Sequence, residues 1–134
     1  MTQEDIRLLI TDLAGRVPYG VFVQKTEDGG FGRLISVQIP SYCVVHIEKS
    51  YWSFDEYDLS KQTIKPYLRP LSSMTAKEWE EYSEMENAIS DYDIDARHSA
   101  GTIVDWMNEK HLDYRGLIEK GLALEAPEGM YKTE

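Results

Sequence analysis

The spacing of apolar residues predicts a helix at the start of this chain. Four of them recur with the i, i+3, i+4, i+7 period of an amphipathic helix: Ile6, Leu9, Ile10 and Leu13. Thr2 and Asp5 have the spacing of a capping box before this run, and Gly15 is typical of the position that follows a helix. We therefore predict an N-terminal helix over residues 2–15, which Pro18 prevents from continuing.

From Tyr19 the apolar residues alternate along the chain with the period of a β-strand. Asp28-Gly29-Gly30 is typical of a hairpin turn, and Pro40-Ser41 turns the chain again after the second apolar run. Short strands between tight turns continue to residue 64. They predict a small antiparallel sheet over residues 19–64, arranged as a meander, and further curling of that meander would give an SH3-like half-barrel.

Residues 65–74 contain Pro66 and Pro70, which favour extended backbone in the residues before them. We predict that this segment is a connector that lies across the sheet, with Tyr67 and Leu68 packed beneath it. Prolines four apart lack the three-residue register of a polyproline ligand, so an internal role is favoured over a partner-binding one.

The second half of the chain returns to helical spacing. Thr75 and Glu78 form a capping box, and Met74 and Trp79 occupy the two positions of a hydrophobic staple around it. The predicted helix ends near Ser90. It is expected to show acidic residues on one side and to bury four residues on the other: Trp79, Tyr82, Met85 and Ile89.

Two more helices are expected after this one. Residues 91–96 are predicted to form a loop, and residues 99–110 the next helix. A short helix over residues 114–120 then has Asp113 as its N-cap and Gly121 at its C-terminal end.

The whole chain, residues 1–134, is therefore predicted to be a single domain of the α+β class. An N-terminal helix precedes the antiparallel sheet and the connector over 65–74. Three C-terminal helices follow within residues 75–121, and residues 122–134 form a tail along the surface.

The distribution of charge adds a surface to this picture. Residues 77–95 contain one basic residue, Lys77, and eight acidic ones, which is −7 of the net −10 of the chain. An asymmetry of this kind concerns partners more than chemistry. Acidic side chains three or four residues apart on a helix stand about 5–6 Å from one another. We therefore predict a surface for a basic protein partner, with a plain solvated face as the ordinary alternative. Its candidate residues are Glu80, Glu81, Glu84, Asp91 and Asp93.

Composition excludes several other classes. A sequence pI near 4.7 disfavours direct binding to nucleic acid, because phosphate contacts need Lys and Arg. Cys43 is the single cysteine, so an internal disulfide is impossible, and this usage fits a reducing compartment. The acidic start of the chain lacks the basic region of a signal peptide, and apolar runs are too short for a membrane span. We expect a cytoplasmic protein with no membrane contact.

Candidate metal sites are incomplete. Asp91-x-Asp93-x-Asp95 resembles the opening of a calcium loop, but Ala96 and Thr102 stand where glycine and a bidentate glutamate are needed. His98 and His111, with Asp95 and Asp113, could supply nitrogen and oxygen ligands. Structural zinc sites usually use several cysteines or closely spaced histidine pairs, which are missing here. We predict no resident metal or cofactor.

Candidate nucleophiles are equally sparse. Cys43 and His46 are three residues apart on a predicted strand, so they point to opposite faces and Cys43 is expected in the core. Gly29-Gly30-Phe31-Gly32 is better explained as a hairpin than as a phosphate loop. Ser72 and Ser73 precede a helix, where hydroxyl groups serve as caps. We predict no catalytic residue.

Two segments resemble a known family. They are KPYLRPLSSMT, Lys65–Thr75, and HLDYRGLIEKGLALEAP, His111–Pro127. Together they are similar to segments of a family of small uncharacterised proteins from gut bacteria and their phages or mobile elements. The resemblance supplies no catalytic residue and implies a phage-linked accessory protein. Whether the two segments form one surface is left open by the sequence.

These observations favour a non-enzymatic accessory or protein-interaction protein. A first alternative is an acidic nucleic-acid mimic that inhibits a DNA- or RNA-binding protein through Glu80, Glu81 and Glu84. A second is a metal-dependent enzyme that uses His98, His111 and Asp113. The oligomeric state is not indicated by the sequence.

Overall fold

The computed structural model describes residues 2–25, 30–38, 42–46, 54–61, 64–91 and 96–131. Within these ranges the α-helices are α1 (Gln3–Arg16), α2 (Ala76–Asp91) and α3 (Ala96–Glu109). The strands are β1 (Phe22–Lys25), β2 (Phe31–Gln38), β3 (Tyr42–His46), β4 (Phe54–Asp58), β5 (Ile64–Leu68) and β6 (Leu124–Glu125). Short 3₁₀ turns occur at Val17–Tyr19, Leu59–Lys61 and Leu71–Ser73. The predicted α+β class and the N-terminal helix are confirmed.

Helix α1 begins with the capping box that the sequence predicts. The Asp5 amide donates to Thr2 Oγ1 at 3.0 Å, and the Thr2 amide donates to Asp5 Oδ2 at 3.3 Å. The expected stop at Gly15 is wrong, because α1 continues to Arg16. A Cβ on Gly15 would lie 3.0 Å from Asn108 Nδ2. The glycine therefore serves a close approach between α1 and α3 rather than a helix end.

The sheet has the strand order β4-β3-β2-β1-β5-β6. Strands β1 to β4 form the predicted antiparallel meander, and β5 returns to pair antiparallel with the other side of β1. The expectation of a wholly antiparallel sheet is corrected at one edge, where β6 runs parallel to β5. The SH3-like half-barrel stays a prediction.

The predicted connector over residues 65–74 is wrong in its first half, because β5 occupies Ile64–Leu68. Pro66 is tolerated there for a geometric reason. The Leu68 carbonyl accepts from the Ala126 amide on the β6 side, and residues two apart in a strand point the same way. The nitrogen of Pro66 therefore faces β6, which begins opposite Tyr67, so the proline removes no hydrogen bond to β1.

The apolar core lies between one face of the sheet and α1, and the C-terminal segment, residues 110–131, completes it. Its buried members come from α1 (Leu9, Leu13), from the strands and turns (Val21, Val23, Leu34, Cys43, Val45, Leu59, Ile64, Leu68) and from the C-terminal segment (Leu117, Leu122, Ala123). Burial of this apolar area is the main contribution to stability.

The helix predicted over residues 114–120 is absent from the described part of the chain, where turns replace it. Gly116 has a φ of 74°, a left-handed conformation that interrupts a helix. Asp113 nevertheless caps the segment, since its carboxylate accepts from the amides of Leu117 at 2.9 Å and Ile118 at 3.0 Å. Two C-terminal helices are therefore present among the described residues, rather than three.

The helix ends near the acidic stretch also differ from the prediction. Helix α2 continues to Asp91, and α3 begins at Ala96 rather than Ser99. The predicted loop over residues 91–96 therefore shrinks, and residues 92–95 lie outside the described ranges.

Candidate partner-binding surface

A buried ion pair between Glu78 and Arg69 fixes the first turn of α2. Glu78 is 2% exposed, and both of its carboxylate oxygens accept from Arg69, at 2.7 Å and 2.9 Å. The predicted capping box is confirmed, since Glu78 and Thr75 exchange hydrogen bonds of 2.9 Å and 3.2 Å. The hydrogen bonds from Arg69 lower the pKa of Glu78 to about 2, against the opposing effect of burial. One of the eight acids therefore belongs to the interior.

The same arginine joins the segments Lys65–Thr75 and His111–Pro127. The Arg69 amide donates to the His111 carbonyl at 2.7 Å, and the Asp113 amide donates to the Arg69 carbonyl at 2.8 Å. The Arg69 guanidinium also donates to the carbonyls of Lys110 and Ser73, both at 3.1 Å. With the pairing of β5 and β6, these bonds make the two segments one structural unit.

A second buried ionic group lies between α1 and the C-terminal segment. Asp12 and Arg16 are fully buried, with Arg16 Nε 2.8 Å from Asp12 Oδ2. Arg16 Nη2 donates to Asp12 Oδ1 at 3.1 Å and to the Leu112 carbonyl at 2.7 Å. Arg115 Nε lies 3.3 Å from Asp12 Oδ1, an ion pair whose alignment falls short of a hydrogen bond. One carboxylate therefore faces two guanidinium groups. Sequence reasoning missed this group; the i, i+4 spacing of Asp12 and Arg16 was its only signal.

His111 and Tyr131 attach the C-terminal segment to the sheet. Their rings stack with centroids 3.8 Å apart. The Tyr131 hydroxyl donates to the Tyr67 carbonyl at 2.8 Å and accepts from the Phe22 amide at 2.9 Å. Burial, with the charges of Arg16 and Arg69, lowers the pKa of His111 to about 4. His111 is therefore a neutral packing group at neutral pH.

We expect this histidine to make the fold sensitive to mild acid. Its folded-state pKa lies below the ordinary histidine pKa of 6.5. The neutral ring therefore contributes stability above pH 6.5, and that contribution falls as pH drops toward 4, by about 3 kcal/mol in total. Asparagine is the matched substitution, because it does not titrate and tolerates the φ of 59° at this position. Urea unfolding between pH 7 and 4 should show a smaller loss of stability in His111→Asn than in wild type; equal losses would contradict the assignment.

The candidate metal ligands do not converge in the described part of the chain, where no group of three or more His, Cys, Asp or Glu side chains comes together. Asp113 already accepts two backbone amides, and His111 is stacked on Tyr131. The side chain of His98 and the whole of Asp95 lie outside the described structure, as does most of the Asp91–Asp95 calcium-like pattern.

Cys43 is a core residue, as its strand position predicts. It is fully buried in β3, and burial is the main cause that raises its pKa to about 12. The thiol therefore stays protonated at neutral pH and is a poor nucleophile. The side chain of His46 lies outside the described structure.

The outward face of α2 carries both acid and aromatic surface. Glu80 and Glu84 are exposed and Glu81 is half-buried, while Trp79 is 47% exposed. The predicted burial of Trp79 is wrong, whereas Met74 is buried, and a staple contact between the two side chains stays a prediction. The cause is the ion pair of Glu78 with Arg69, which turns that glutamate inward. Because successive residues of an α-helix are rotated by about 100°, Trp79 then points toward solvent. Of the other predicted partner residues, Asp91 ends α2 with its side chain undescribed, and Asp93 lies outside the described ranges.

Three aromatic rings form a row across α2 and α3. The Trp79 and Tyr82 centroids are 6.2 Å apart at 85°, and those of Tyr82 and Trp106 are 6.4 Å apart at 33°. Trp106 Nε1 donates to Glu81 Oε2 at 3.1 Å. The Tyr82 hydroxyl donates to Glu86 at 2.7 Å, and this bond raises the pKa of Tyr82. The aromatic–acidic surface is defined here as the rings Trp79, Tyr82 and Trp106 with the carboxylates Glu80, Glu81 and Glu84.

The described residues line at least two surface cavities. One, of about 280 Å³, has a lining that includes Arg69, Ser73, Glu125 and Tyr131. Both Nη atoms of Arg69 already donate hydrogen bonds within the protein. The other, of about 370 Å³, lies on the aromatic–acidic surface.

Comparison with protein-family models, curated proteins and solved structures gives no match, so the surface geometry carries the functional argument. None of the helices in the described ranges combines the length and apolar character that a bilayer crossing requires.

Proposed function

We propose that this chain is a non-enzymatic accessory protein, linked to a phage or mobile element, that acts in the cytoplasm by binding a basic protein. The aromatic–acidic surface is the proposed docking site. The exposure of Trp79 on the most acidic helix is the observation that carries the proposal. A helix face that serves only solubility has no need of an exposed indole, whereas tryptophan is enriched where proteins bind one another.

Charge favours a foreign partner over a second copy of the chain. The net charge is −10, and Glu80 and Glu84 are exposed beside the rings. Two copies that met through this surface would bring like charges together, which is unfavourable. A basic segment with apolar residues would instead match both the carboxylates and the rings. An amphipathic helix is the commonest form of such a segment.

The test is a charge reversal that spares the interior. Glu80→Lys/Glu84→Lys changes the two exposed carboxylates and leaves Glu81 bonded to Trp106. Glu56→Lys/Glu119→Lys makes the same change of net charge at exposed positions on β4 and in the C-terminal segment. Proteins captured from a host lysate with wild type would be purified and titrated against all three proteins by calorimetry. We expect the first variant to bind about tenfold more weakly or worse, which corresponds to the loss of roughly one favourable charge contact. The second variant is expected to bind with the affinity of wild type.

The affinities test the docking site, and displacement of nucleic acid separates this proposal from the nucleic-acid mimic. Equal affinities for all three proteins would place the partner elsewhere on the molecule. Displacement of bound DNA or RNA from the captured protein by wild type would favour the nucleic-acid mimic, and a basic partner that binds no nucleic acid would exclude it.

A further inference from the structure

The cleft on the aromatic–acidic surface has an unusual lining. It measures about 370 Å³, opens to solvent between α2 and α3, and is lined by Glu81, Glu84, Met85 and Trp106. Trp106 and Met85 form apolar walls, and Glu81 and Glu84 contribute carboxylates. This pairing of an indole with carboxylates is the composition of a site for an organic cation.

The indole in this cleft is held in one orientation. Its Nε1–H donates to Glu81 at 3.1 Å, and the Tyr82 ring supports it at 6.4 Å. The N–H edge is therefore engaged on α2, which leaves the carbon surface of the ring to line the cleft. A fixed ring loses little entropy when a ligand packs on it.

The two carboxylates differ in what they can offer a ligand. Glu81 already accepts from Trp106, whereas Glu84 is exposed and accepts from none of the side chains that the structure describes. Glu84 is therefore the carboxylate available for a new ion pair. An exposed carboxylate beside an apolar wall favours a partner that has both a charge and a flat apolar face.

The guanidinium group of arginine meets both requirements. It stacks on aromatic faces and donates two parallel hydrogen bonds to a carboxylate. The lysine ammonium is a compact, strongly hydrated charge without a plane, so it gains less from the indole. A divalent metal ion is a poorer match, because the cleft supplies only two carboxylates, one of them engaged, and hard cations take six or more oxygen ligands.

We infer that this cleft is an arginine-binding subsite, in which a partner's guanidinium packs against Trp106 and pairs with Glu84. The inference rests on the proposed function, since the arginine belongs to the basic segment that docks on this surface. Met85 contacts the aliphatic stem of that side chain, and Glu81 acts as a positioning residue that holds the indole.

The probe for the test is N-acetyl-arginine amide, titrated into ¹⁵N-labelled protein while the indole Nε1–H signals are followed by NMR. Trp106→Phe assigns the signal of Trp106. We expect a saturable shift of that signal with a dissociation constant of roughly 1–10 mM, the weak end of binding for so small a ligand. N-acetyl-citrulline amide has the same shape without the charge, and N-acetyl-lysine amide has the charge without the plane. Each should bind at least about fivefold more weakly.

A matched pair of variants locates the subsite. Glu84→Gln should weaken the arginine probe by about tenfold, because a charge-assisted pair becomes a neutral one. Glu119→Gln removes the same charge from an exposed position outside the cleft and should leave the affinity unchanged. Both substitutions are of exposed side chains, so folding is preserved and far-UV circular dichroism checks it.

The outcomes separate this inference from the proposed function. If arginine, lysine and citrulline probes shift the Trp106 signal equally, or if both variants behave alike, the subsite is wrong. In that case a captured basic partner that still loses affinity for Glu80→Lys/Glu84→Lys would keep the proposed function. Selective binding of the arginine probe, with no captured partner that loses affinity for that variant, would keep the subsite and contradict the proposed function.

Discussion

Replacing Glu78 by glutamine is expected to destabilise the fold by about 3–5 kcal/mol, the usual cost of leaving one member of a buried ion pair without its counter-charge. The Arg69 guanidinium, 7% exposed, would keep its carbonyl partners but lose its counter-charge and one of the two acceptor oxygens on residue 78. Because Arg69 also joins Lys65–Thr75 to His111–Pro127, the loss should spread to β5 and the C-terminal segment. Urea unfolding at pH 7 measures the change. Glu80→Gln, an exposed acid on the same helix, is the matched control and should cost less than about 0.5 kcal/mol.

The pH dependence provides a second readout of the same pair. The pKa of Glu78 is lowered from 4.5 to about 2 in the folded state. Its contribution to stability is therefore complete above pH 4.5 and is lost as pH falls through the region of 2. The stability difference between wild type and Glu78→Gln should be constant from pH 7 to about 5 and should shrink below that. A difference that stays constant down to pH 2 would falsify the assignment of the pair as ionic.

The features that the sequence predicts correctly are local ones. The capping boxes at Thr2–Asp5 and Thr75–Glu78 depend on residues three positions apart, and the meander of β1 to β4 depends on neighbouring strands joined by turns. A linear pattern contains that information directly, because each group and its partner are close in sequence.

The features that it misses depend on distant partners. Tyr67 pairs with Leu124 across the β5–β6 ladder, a contact that no period along the chain specifies. Helix α2 shows the consequence for the site. An apolar pattern assigns Trp79 to the buried side, but the rotation of the helix is fixed by the pairing of Glu78 with Arg69. The acidic residues of the surface were thus predictable, whereas the exposed ring beside them was not.

The burial of Glu78 and the exposure of Trp79 both follow from the rotation of α2. An interaction in the interior thereby determines which side chains the proposed docking surface presents. An ion pair is often no more stabilising than apolar residues of similar volume would be. Its distinctive effect here is geometric, since Glu78 accepts from both Nη atoms of one arginine and so fixes the rotation of α2. That rotation places Trp79 beside Glu80 on the outside. Restoring stability to Glu78→Gln with apolar substitutions is therefore not expected to restore partner binding unless the rotation is also restored.

Replacing Asp12 by asparagine is the second substitution with a large expected effect. It should destabilise the fold by about 3–5 kcal/mol or more. Arg16 is fully buried, and Asp12 is the carboxylate paired with it among the described residues. The Arg115 guanidinium depends on the same carboxylate, at 3.3 Å. An uncharged amide could still accept one hydrogen bond through its oxygen, and the Leu112 carbonyl would still accept from Arg16 at 2.7 Å, but two positive charges would lie close together without a counter-charge. Like charges in a medium of low dielectric repel strongly, so the cost should match or exceed that of the Glu78 substitution.

A variant that removes the charges of Asp12 and Arg16, and leaves the partly exposed Arg115, tests whether the effect is electrostatic. Asp12→Leu/Arg16→Met replaces the pair by apolar side chains of similar size, and such replacements of buried pairs are often neutral or stabilising. We therefore expect the double variant to be more stable than Asp12→Asn alone by about 2 kcal/mol or more, because it leaves no unpaired charge on Arg16. Asp105→Asn removes an exposed carboxylate from α3 and serves as the control. Denaturant unfolding of the four proteins at pH 7 gives the comparison. If the double variant is no more stable than Asp12→Asn, the contribution of Asp12 is one of packing, and α1 is held to the C-terminal segment by shape rather than by charge.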